Sequence, residues 1–320
     1  MSRPGRAWKT RTRRRNAGRA HRIGRVAVIC LGTMNFGTTL DRAAAFGVLD
    51  AFTGQGGELV DTANCYASWI GTGDESELVI GAWHRARGAR DRIRLATKVG
   101  ARPVPGGGLM DCEGLAPATI RSAVEDSLRR LDTDYVDVCF AHLMDPAVPL
   151  EDTLGAFEEL VAAGKVREIG LSNQDLDSLR RAGGRVSWLQ QRYSYLQPMP
   201  GASFALQKTL TPEMAAYVRD TPGLTVQGYS PLLSGAYTRP DRELWPHYHH
   251  PGTESRLAAL RKVAGDAGVT ENQVVLAWML ASTPPVQPVI GVSTQAQLAD
   301  CLAATELVLS DEHLRCLEAA

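Results

Sequence analysis

The sequence lacks the features that mark membrane, secreted and metal-binding proteins. No apolar run approaches the ~20 residues of a membrane-spanning helix, which argues against an integral membrane protein. The six cysteines include no CxxC pair, and no apolar segment of signal-peptide length follows the first charged residues, so we expect reduced thiols in a cytoplasmic protein. His247, His249 and His250 lie between Pro246 and Pro251, as in a surface loop, and we expect no metal there.

The start of the chain contains no acidic residue, and the first one is Asp41. Residues 1–25 contain ten of the 35 lysines and arginines, so the remainder carries a net charge of −10 and offers no general surface for nucleic acid. We interpret residues 1–22 as a basic, disordered leader and residues 23–320 as one folded domain. Two other interpretations of the leader stay open, a nucleic-acid-binding arm and a start codon placed too early.

The rest of the sequence has the composition and rhythm of an α/β protein. Hydrophobic residues make up 44% of the chain and charged residues 22%, which is typical of a globular protein with a large core. Short β-branched runs alternate with segments of helical period, which predicts βαβ units and a parallel sheet. Eight predicted strands indicate a single (β/α)8 TIM barrel, with its active site at the C-terminal mouth and the long loops 100–116 and 230–252 around it. The predicted strands are 26–31, 59–61, 93–97, 136–141, 166–171, 188–193, 224–229 and 286–290, and the predicted helices are 41–53, 74–86, 117–131, 150–161, 175–182, 211–220, 254–267, 271–281 and 294–304.

Polar residues stand at or just after the ends of three successive predicted strands. Asp61 ends the second predicted strand and Tyr66 follows it, while Lys98 follows the third and His142 the fourth. Because the carboxyl ends of barrel strands share one rim, these side chains should converge. We expect Asp61 to keep Lys98 charged, and Lys98 to lower the pKa of Tyr66 toward the working pH, which would make the phenol a usable proton donor. His142 is then placed to orient a substrate carbonyl oxygen.

At these positions the chain resembles the aldo-keto reductase family, and the resemblance runs from about Ile23 to the C-terminus. The resemblance implies an NAD(P)H-dependent oxidoreductase that reduces an aldehyde or ketone to an alcohol, with the catalytic tetrad Asp61, Tyr66, Lys98 and His142. It rests on the order and spacing of LGTMNFG at 31–37, VDTANCY at 60–66, LATKVG at 95–100, SLRRLDTDYVDVCFAH at 127–142, GKVREIGLSN at 164–173, GYSPLLSG at 228–235 and PVIGVSTQAQL at 288–298.

The resemblance also implies which residues contact the cofactor. Ser172 and Asn173 would bind the carboxamide of the nicotinamide, Gln190 would lie beside it, and Tyr229 would stack on the ring. Ser172 and Asn173 could also, or only, cap a helix that begins near Asp175, since a cap and a cofactor contact are compatible. The other implied cofactor contacts are Gly32, Thr33, Met34, Ser230, Leu232, Gly235, Gly291, Ser293, Gln297 and Cys301.

The chain departs from the family pattern at four positions. Ala67 follows Tyr66 where the family usually has Gly, so we expect the next loop to turn differently. Ser293, Gln297 and Cys301 stand where the family commonly has Lys or Arg, Arg, and Asn. This loop therefore offers no cation to a 2′-phosphate, although an arginine from another loop, such as Arg192 or Arg239, could supply one. We expect NADPH as the cofactor with NADH as an acceptable alternative.

Two other functions are compatible with the sequence. One is a ketoreductase or 2,3-reductase of nucleotide-linked deoxysugars, because the large polar loops around the mouth could admit a bulky substrate. The other is a cofactor-binding regulatory subunit, since the fold also occurs in channel-associated subunits. The intact set of four polar residues favours an enzyme over a regulatory subunit.

Overall fold

Eight parallel strands close into a barrel in the computed structural model, which describes residues 29–107 and 111–320. Each strand pairs with the next along the chain, and the eighth pairs with the first. The predicted (β/α)8 fold is therefore confirmed. The strands are β1 (Cys30–Gly32), β2 (Leu59–Asp61), β3 (Arg94–Val99), β4 (Val136–Ala141), β5 (Val166–Ser172), β6 (Trp188–Arg192), β7 (Thr225–Tyr229) and β8 (Val286–Gly291).

Helices connect the strands, and short polar side chains begin several of them. Asp41, Asp175, Thr211, Thr270 and Thr294 each accept a backbone N–H from the first turn of their own helix. No helix among the described residues is both long and apolar enough to cross a membrane. The helices are α1 (Arg42–Gly54), α2 (Glu75–Arg87), α3 (Pro117–Leu131), α4 (Leu150–Ala162), α5 (Leu176–Ala182), α6 (Pro212–Arg219), α7 (Pro251–Ala267), α8 (Glu271–Ala281), α9 (Gln295–Ala303) and α10 (Asp311–Glu318).

Several elements differ from the sequence-based prediction; α7, for example, begins at Pro251 and not at residue 254. β1 occupies Cys30–Gly32 and not 26–31, while residues 26–28 and the predicted leader 1–22 lie outside the described residues. β3 continues to Val99, so Lys98 lies within the strand and not after it. α10 follows β8 and α9, although eight strand–helix units already complete the barrel, and it packs against α7.

The barrel interior is filled by an apolar layer that is separate from the larger core between strands and helices. Gly170 on β5 leaves room for this layer, because a Cβ at that position would lie 2.3 Å from the ring of Phe140. The polar residues of the mouth therefore rest on a packed floor. The floor consists of Cys30, Leu59, Ala96, Val138, Phe140, Trp188 and Val289.

Candidate active site

Strand alternation brings the polar side chains together above this apolar floor. Asp61 comes two residues after Leu59, and Lys98 comes two residues after Ala96. Because successive side chains of a strand point to opposite faces, both polar residues point into the barrel, one layer nearer its carboxyl end. The period of two residues thus explains why charged groups stand inside the barrel at this level.

Asp61, Lys98 and Tyr66 form one hydrogen-bonded group. Lys98 Nζ donates to Asp61 Oδ2 at 2.5 Å, to the carbonyl oxygen of Thr62 at 2.9 Å and to the Tyr66 hydroxyl at 2.6 Å. The Tyr66 hydroxyl in turn donates to Asp61 Oδ2 at 3.0 Å. Asp61 and Lys98 are each only 1% exposed, and each compensates the charge of the other. The three hydrogens of the ammonium group therefore all have acceptors.

The pKa of Tyr66 moves in the direction opposite to the one that the sequence predicted. Burial of the phenol, together with the nearby Asp61 carboxylate that accepts its hydrogen bond, raises the pKa of Tyr66 well above its usual value. The expected lowering by Lys98 is therefore wrong for this arrangement. The sequence placed Lys98 beside the phenol, but it did not show that Asp61 bonds to the same hydroxyl. Tyr66 is consequently a neutral phenol that carries a proton at ordinary pH.

His142 follows β4 and lies beside Tyr66, with the two ring centroids 6.1 Å apart in an edge-to-face arrangement. Burial, with a smaller effect of the Lys98 charge, lowers the pKa of His142 from 6.5 to about 3. The imidazole is thus neutral at physiological pH. Its Nδ1 lies 3.7 Å from Cys65 Sγ, a contact that the sequence did not reveal. Burial raises the pKa of the Cys65 thiol to about 12, so the thiol keeps its hydrogen.

The second oxygen of Asp61 is held by a row of amide side chains across the barrel. Gln190 Nε2 donates to Asp61 Oδ1 at 3.0 Å and to Gln227 Oε1 at 2.8 Å. Gln227 Nε2 continues the row to Gln287 Oε1 at 2.8 Å. Sequence analysis singled out Gln190 but missed Gln227 and Gln287, which have the same alternating position on β7 and β8 as Gln190 has on β6. Both carboxylate oxygens are thereby fixed.

The residues expected at the nicotinamide also lie together. Asn173 Nδ2 donates to Ser172 Oγ at 3.0 Å and to the backbone oxygen of His142 at 2.9 Å. The Tyr229 hydroxyl donates to Asn173 Oδ1 at 2.7 Å, which holds the half-buried ring at the mouth. Asp175 caps α5, so the interpretation of Ser172 and Asn173 as the helix N-cap is wrong. These side chains form a cluster of neutral donors and acceptors beside one aromatic ring.

The remaining expected cofactor contacts lie after β1 and β7. Thr33 is fully buried, and its hydroxyl donates to the backbone oxygen of Asp61 at 2.9 Å, whereas Met34 is 45% exposed at the rim. Gly32 ends β1 beside them. After β7, Ser230 and Leu232 are partly buried. Gly235 adopts a left-handed backbone conformation in the same loop, with φ of 93°.

Of the expected cofactor contacts in the loop after β8 and in α9, some are exposed and one is buried. Gly291, Ser293 and Gln297 are exposed, and Gln297 Oε1 accepts the backbone N–H of Ser293 at 2.7 Å. Cys301 is only 3% exposed and packs in the outer core, on the buried face of α9. The expectation of a cofactor contact through the Cys301 side chain is therefore not supported by its placement, since the α9 face that carries it is apolar.

Ala67 keeps the conformation that a glycine would favour. Its φ is 61°, in the left-handed region, which costs a non-glycine residue roughly 1–2 kcal/mol. The expectation of a different turn after Tyr66 stays a prediction.

Two of the three histidines in the loop after β7 bind backbone oxygens. His247 Nε2 lies 2.9 Å from the oxygen of Ser203, and His250 Nε2 lies 2.9 Å from the oxygen of Gln197. These contacts hold the loop after β7 against the loop after β6. Across residues 29–107 and 111–320, no three His, Cys, Asp or Glu side chains are placed to hold a metal ion.

Comparison with known proteins agrees with this geometry. The chain matches the Aldo/keto reductase family over residues 28–320 and belongs to that family. It is therefore an oxidoreductase. It is 34% identical to the uncharacterized oxidoreductase YrpG of Bacillus subtilis, covering 92% of this chain and 91% of that protein. It is 31% identical to norsolorinic acid reductase stcV of Emericella nidulans, covering 91% and 77%. An aldo-keto reductase from Klebsiella pneumoniae, solved in complex with NADPH, matches with a TM-score of 0.70 and 27% identity, covering 91% of this chain and 90% of that one.

Proposed function

We propose that the protein reduces an aldehyde or ketone to an alcohol, with Tyr66 as the proton donor and NADPH as the reductant. The observation that carries the proposal is the position of the Tyr66 hydroxyl at the mouth, bonded to both Lys98 and Asp61. A phenol held in this way keeps its proton until a better acceptor arrives, and its conjugate base has a cation beside it.

The residues at the mouth fit a nicotinamide. Ser172, Asn173 and Gln190 are buried hydroxyl and amide groups, which suit a carboxamide that both donates and accepts hydrogen bonds. The Tyr229 ring supplies an aromatic face next to them. These side chains already bond to one another or to Asp61, so they are held in place before a ligand binds. When bound, a reduced nicotinamide supplies a hydride for the carbonyl carbon.

Two side chains act on the carbonyl oxygen in the proposed reaction, and a third stabilises the phenolate that forms. Tyr66 donates its proton to this oxygen, and Lys98 stabilises the phenolate that remains. His142 is neutral, and a Cys65 thiol that donates to Nδ1 leaves the ring proton on Nε2. The Nε2–H can then donate to the carbonyl oxygen and orient it. Both bonds strengthen as negative charge develops, which is the condition for raising kcat.

Tyr66→Phe tests the proposal because it removes the proton donor and keeps the ring. General acid catalysis contributes about 10²–10⁴-fold, so kcat should fall by that factor while the Kd for NADPH stays nearly unchanged. The assay follows NADPH oxidation with a panel of aromatic aldehydes, ketones and keto-sugars, which also shows the preferred substrate. A variant that keeps more than a tenth of wild-type kcat, with chemistry shown to be rate-limiting, contradicts the role of Tyr66.

A further inference from the structure

One buried charge in the described part of the chain has no partner of opposite sign. Five charged side chains there are buried: Asp61, Glu77, Asp137, Lys98 and Arg192. Asp61 pairs with Lys98, while Glu77 and Asp137 each form ion pairs with arginines. Arg192 is 4% exposed and forms no ion pair with any described residue. A guanidinium withdrawn from water without an anion is costly, so its presence calls for a counter-charge.

Arg192 stands at the mouth of the barrel, beside residues expected at the cofactor. It is the last residue of β6 and lies opposite Tyr229 in the register between β6 and β7. Its Nη1 donates to Ser230 Oγ at 3.4 Å and to Gln207 Oε1 at 3.1 Å, and its Nε donates to the Tyr248 hydroxyl at 3.2 Å. All three acceptors are neutral, so they satisfy hydrogens without compensating the charge.

Two aromatic rings contact this guanidinium, and one of its nitrogens, Nη2, has no hydrogen-bond partner among the described residues. Its carbon lies 4.6 Å from the ring centroid of Phe204 and 4.7 Å from that of Trp245. Such contacts stabilise a cation by only about 0.5–2 kcal/mol, which is less than the desolvation of a buried charge. Within the described residues, Nη2 makes no hydrogen bond, and the covering Trp245 is itself 47% exposed. An incoming anion can therefore bond to Nη2 without displacing an existing partner.

We infer that Arg192 binds a phosphate group of the nicotinamide dinucleotide, an inference that rests on the proposed function. A phosphate supplies the missing negative charge, and two of its oxygens can accept hydrogen bonds from a planar guanidinium. The exposed loop after β8 has no cation at Ser293 or Gln297, so Arg192 provides from β6 a charge that this loop lacks. The dinucleotide carries two possible sources of the phosphate, the pyrophosphate and the 2′-phosphate.

The experiment measures the Kd values of NADPH and NADH by isothermal titration calorimetry on the full-length protein. Arg192→Met removes the charge and keeps much of the side-chain volume, and it should raise the Kd of at least one dinucleotide by about 10- to 100-fold. Arg192→Gln is the second neutral variant, which retains an amide that can bond to Tyr248 and Gln207 and decides the matter if the Met variant does not fold. Arg256→Met is the matched control, because Arg256 on α7 also stacks on an aromatic ring, that of Tyr195 at 5.1 Å, and forms no ion pair with a described residue.

The outcomes separate the inference from the proposed function. A raised Kd for NADPH alone identifies the 2′-phosphate, and equal increases for NADPH and NADH identify the pyrophosphate that both carry. Wild-type Kd values in a folded neutral variant, with or without a lower Tm, overturn the inference and leave Arg192 as a link between the loops after β6 and β7. If the wild-type protein binds neither dinucleotide, the proposed function fails together with the inference.

Discussion

Replacing His142 by Gln should make the protein less sensitive to acid. The pKa of His142 is lowered from 6.5 to about 3, mainly by burial and then by Lys98, so the folded protein holds a neutral imidazole. The unfolded chain binds a proton at this residue below about pH 6.5. A lowered folded-state pKa contributes stability that is present above the unfolded pKa and is lost as the pH falls toward the folded pKa.

The magnitude depends little on the exact value of the lowered pKa. At pH 5, the neutral state of the folded imidazole lowers the free energy of unfolding by about 2 kcal/mol. At pH 7 it lowers this free energy by only about 0.2 kcal/mol. A folded-state pKa of about 4 would change the figure at pH 5 by less than about 0.1 kcal/mol. Glutamine has no titrating group, so the stability of His142→Gln relative to wild type should increase by about 2 kcal/mol between pH 7 and pH 5.

Urea unfolding of wild type and His142→Gln at pH 5, 6 and 7 measures this difference. His249→Gln, at an exposed position of the same protein, controls for the loss of an imidazole as such. Parallel stability curves for wild type and His142→Gln would refute the reasoning, because they would show that water reaches His142 in the folded state. The same lowered pKa means that protonation of His142 should not cause a fall in kcat/KM between pH 5 and pH 8.

Three further outcomes are expected. Lys98→Met leaves the Asp61 carboxylate buried without its cation, and urea unfolding should show a loss of about 3–5 kcal/mol; a loss below about 1 kcal/mol would mean that water already screens the pair. The kcat/KM ratio for NADPH over NADH should favour NADPH but stay below about 10³, because neither Ser293 nor Gln297 offers a charge to the 2′-phosphate, and a higher ratio would show that Arg192 or another cation reaches that phosphate. Deleting residues 1–22 should leave Tm and kcat/KM unchanged, because this segment lacks the apolar periodicity needed to pack, and a large fall in Tm would contradict that.

The sequence predicted which residues of the site lie together because that depends on strand order alone. In a parallel barrel every strand ends at the same rim, so Asp61, Lys98 and His142 had to meet once their strands were recognised. The same argument applies to Gln190 on β6. The boundary of β3 was two residues short, but this did not matter, because alternation and not the strand end determines that Lys98 points inward.

The properties that could not be predicted depend on contacts between distant side chains. The direction of the Tyr66 pKa is decided by whether its hydroxyl bonds to Asp61 as well as to Lys98, a matter of ångströms. Only the structure shows that Arg192 is buried without a counter-charge, because Phe204 and Trp245, from two different loops, cover it. Spacing within a strand carries no information on such contacts, since loops decide which side chains meet above the rim.

Asp61 links these observations, because its two oxygens have different roles. Oδ1 is held by Gln190, while Oδ2 accepts both the Lys98 ammonium and the Tyr66 phenol. The carboxylate thus keeps the cation in place and also retains the phenol proton. A substrate oxygen must therefore take the place of Oδ2 as the acceptor of the Tyr66 hydrogen. Since the raised pKa keeps this hydrogen on Tyr66 well into the alkaline range, the proposed site favours carbonyl reduction at neutral pH, whereas alcohol oxidation needs the phenolate and gains from higher pH.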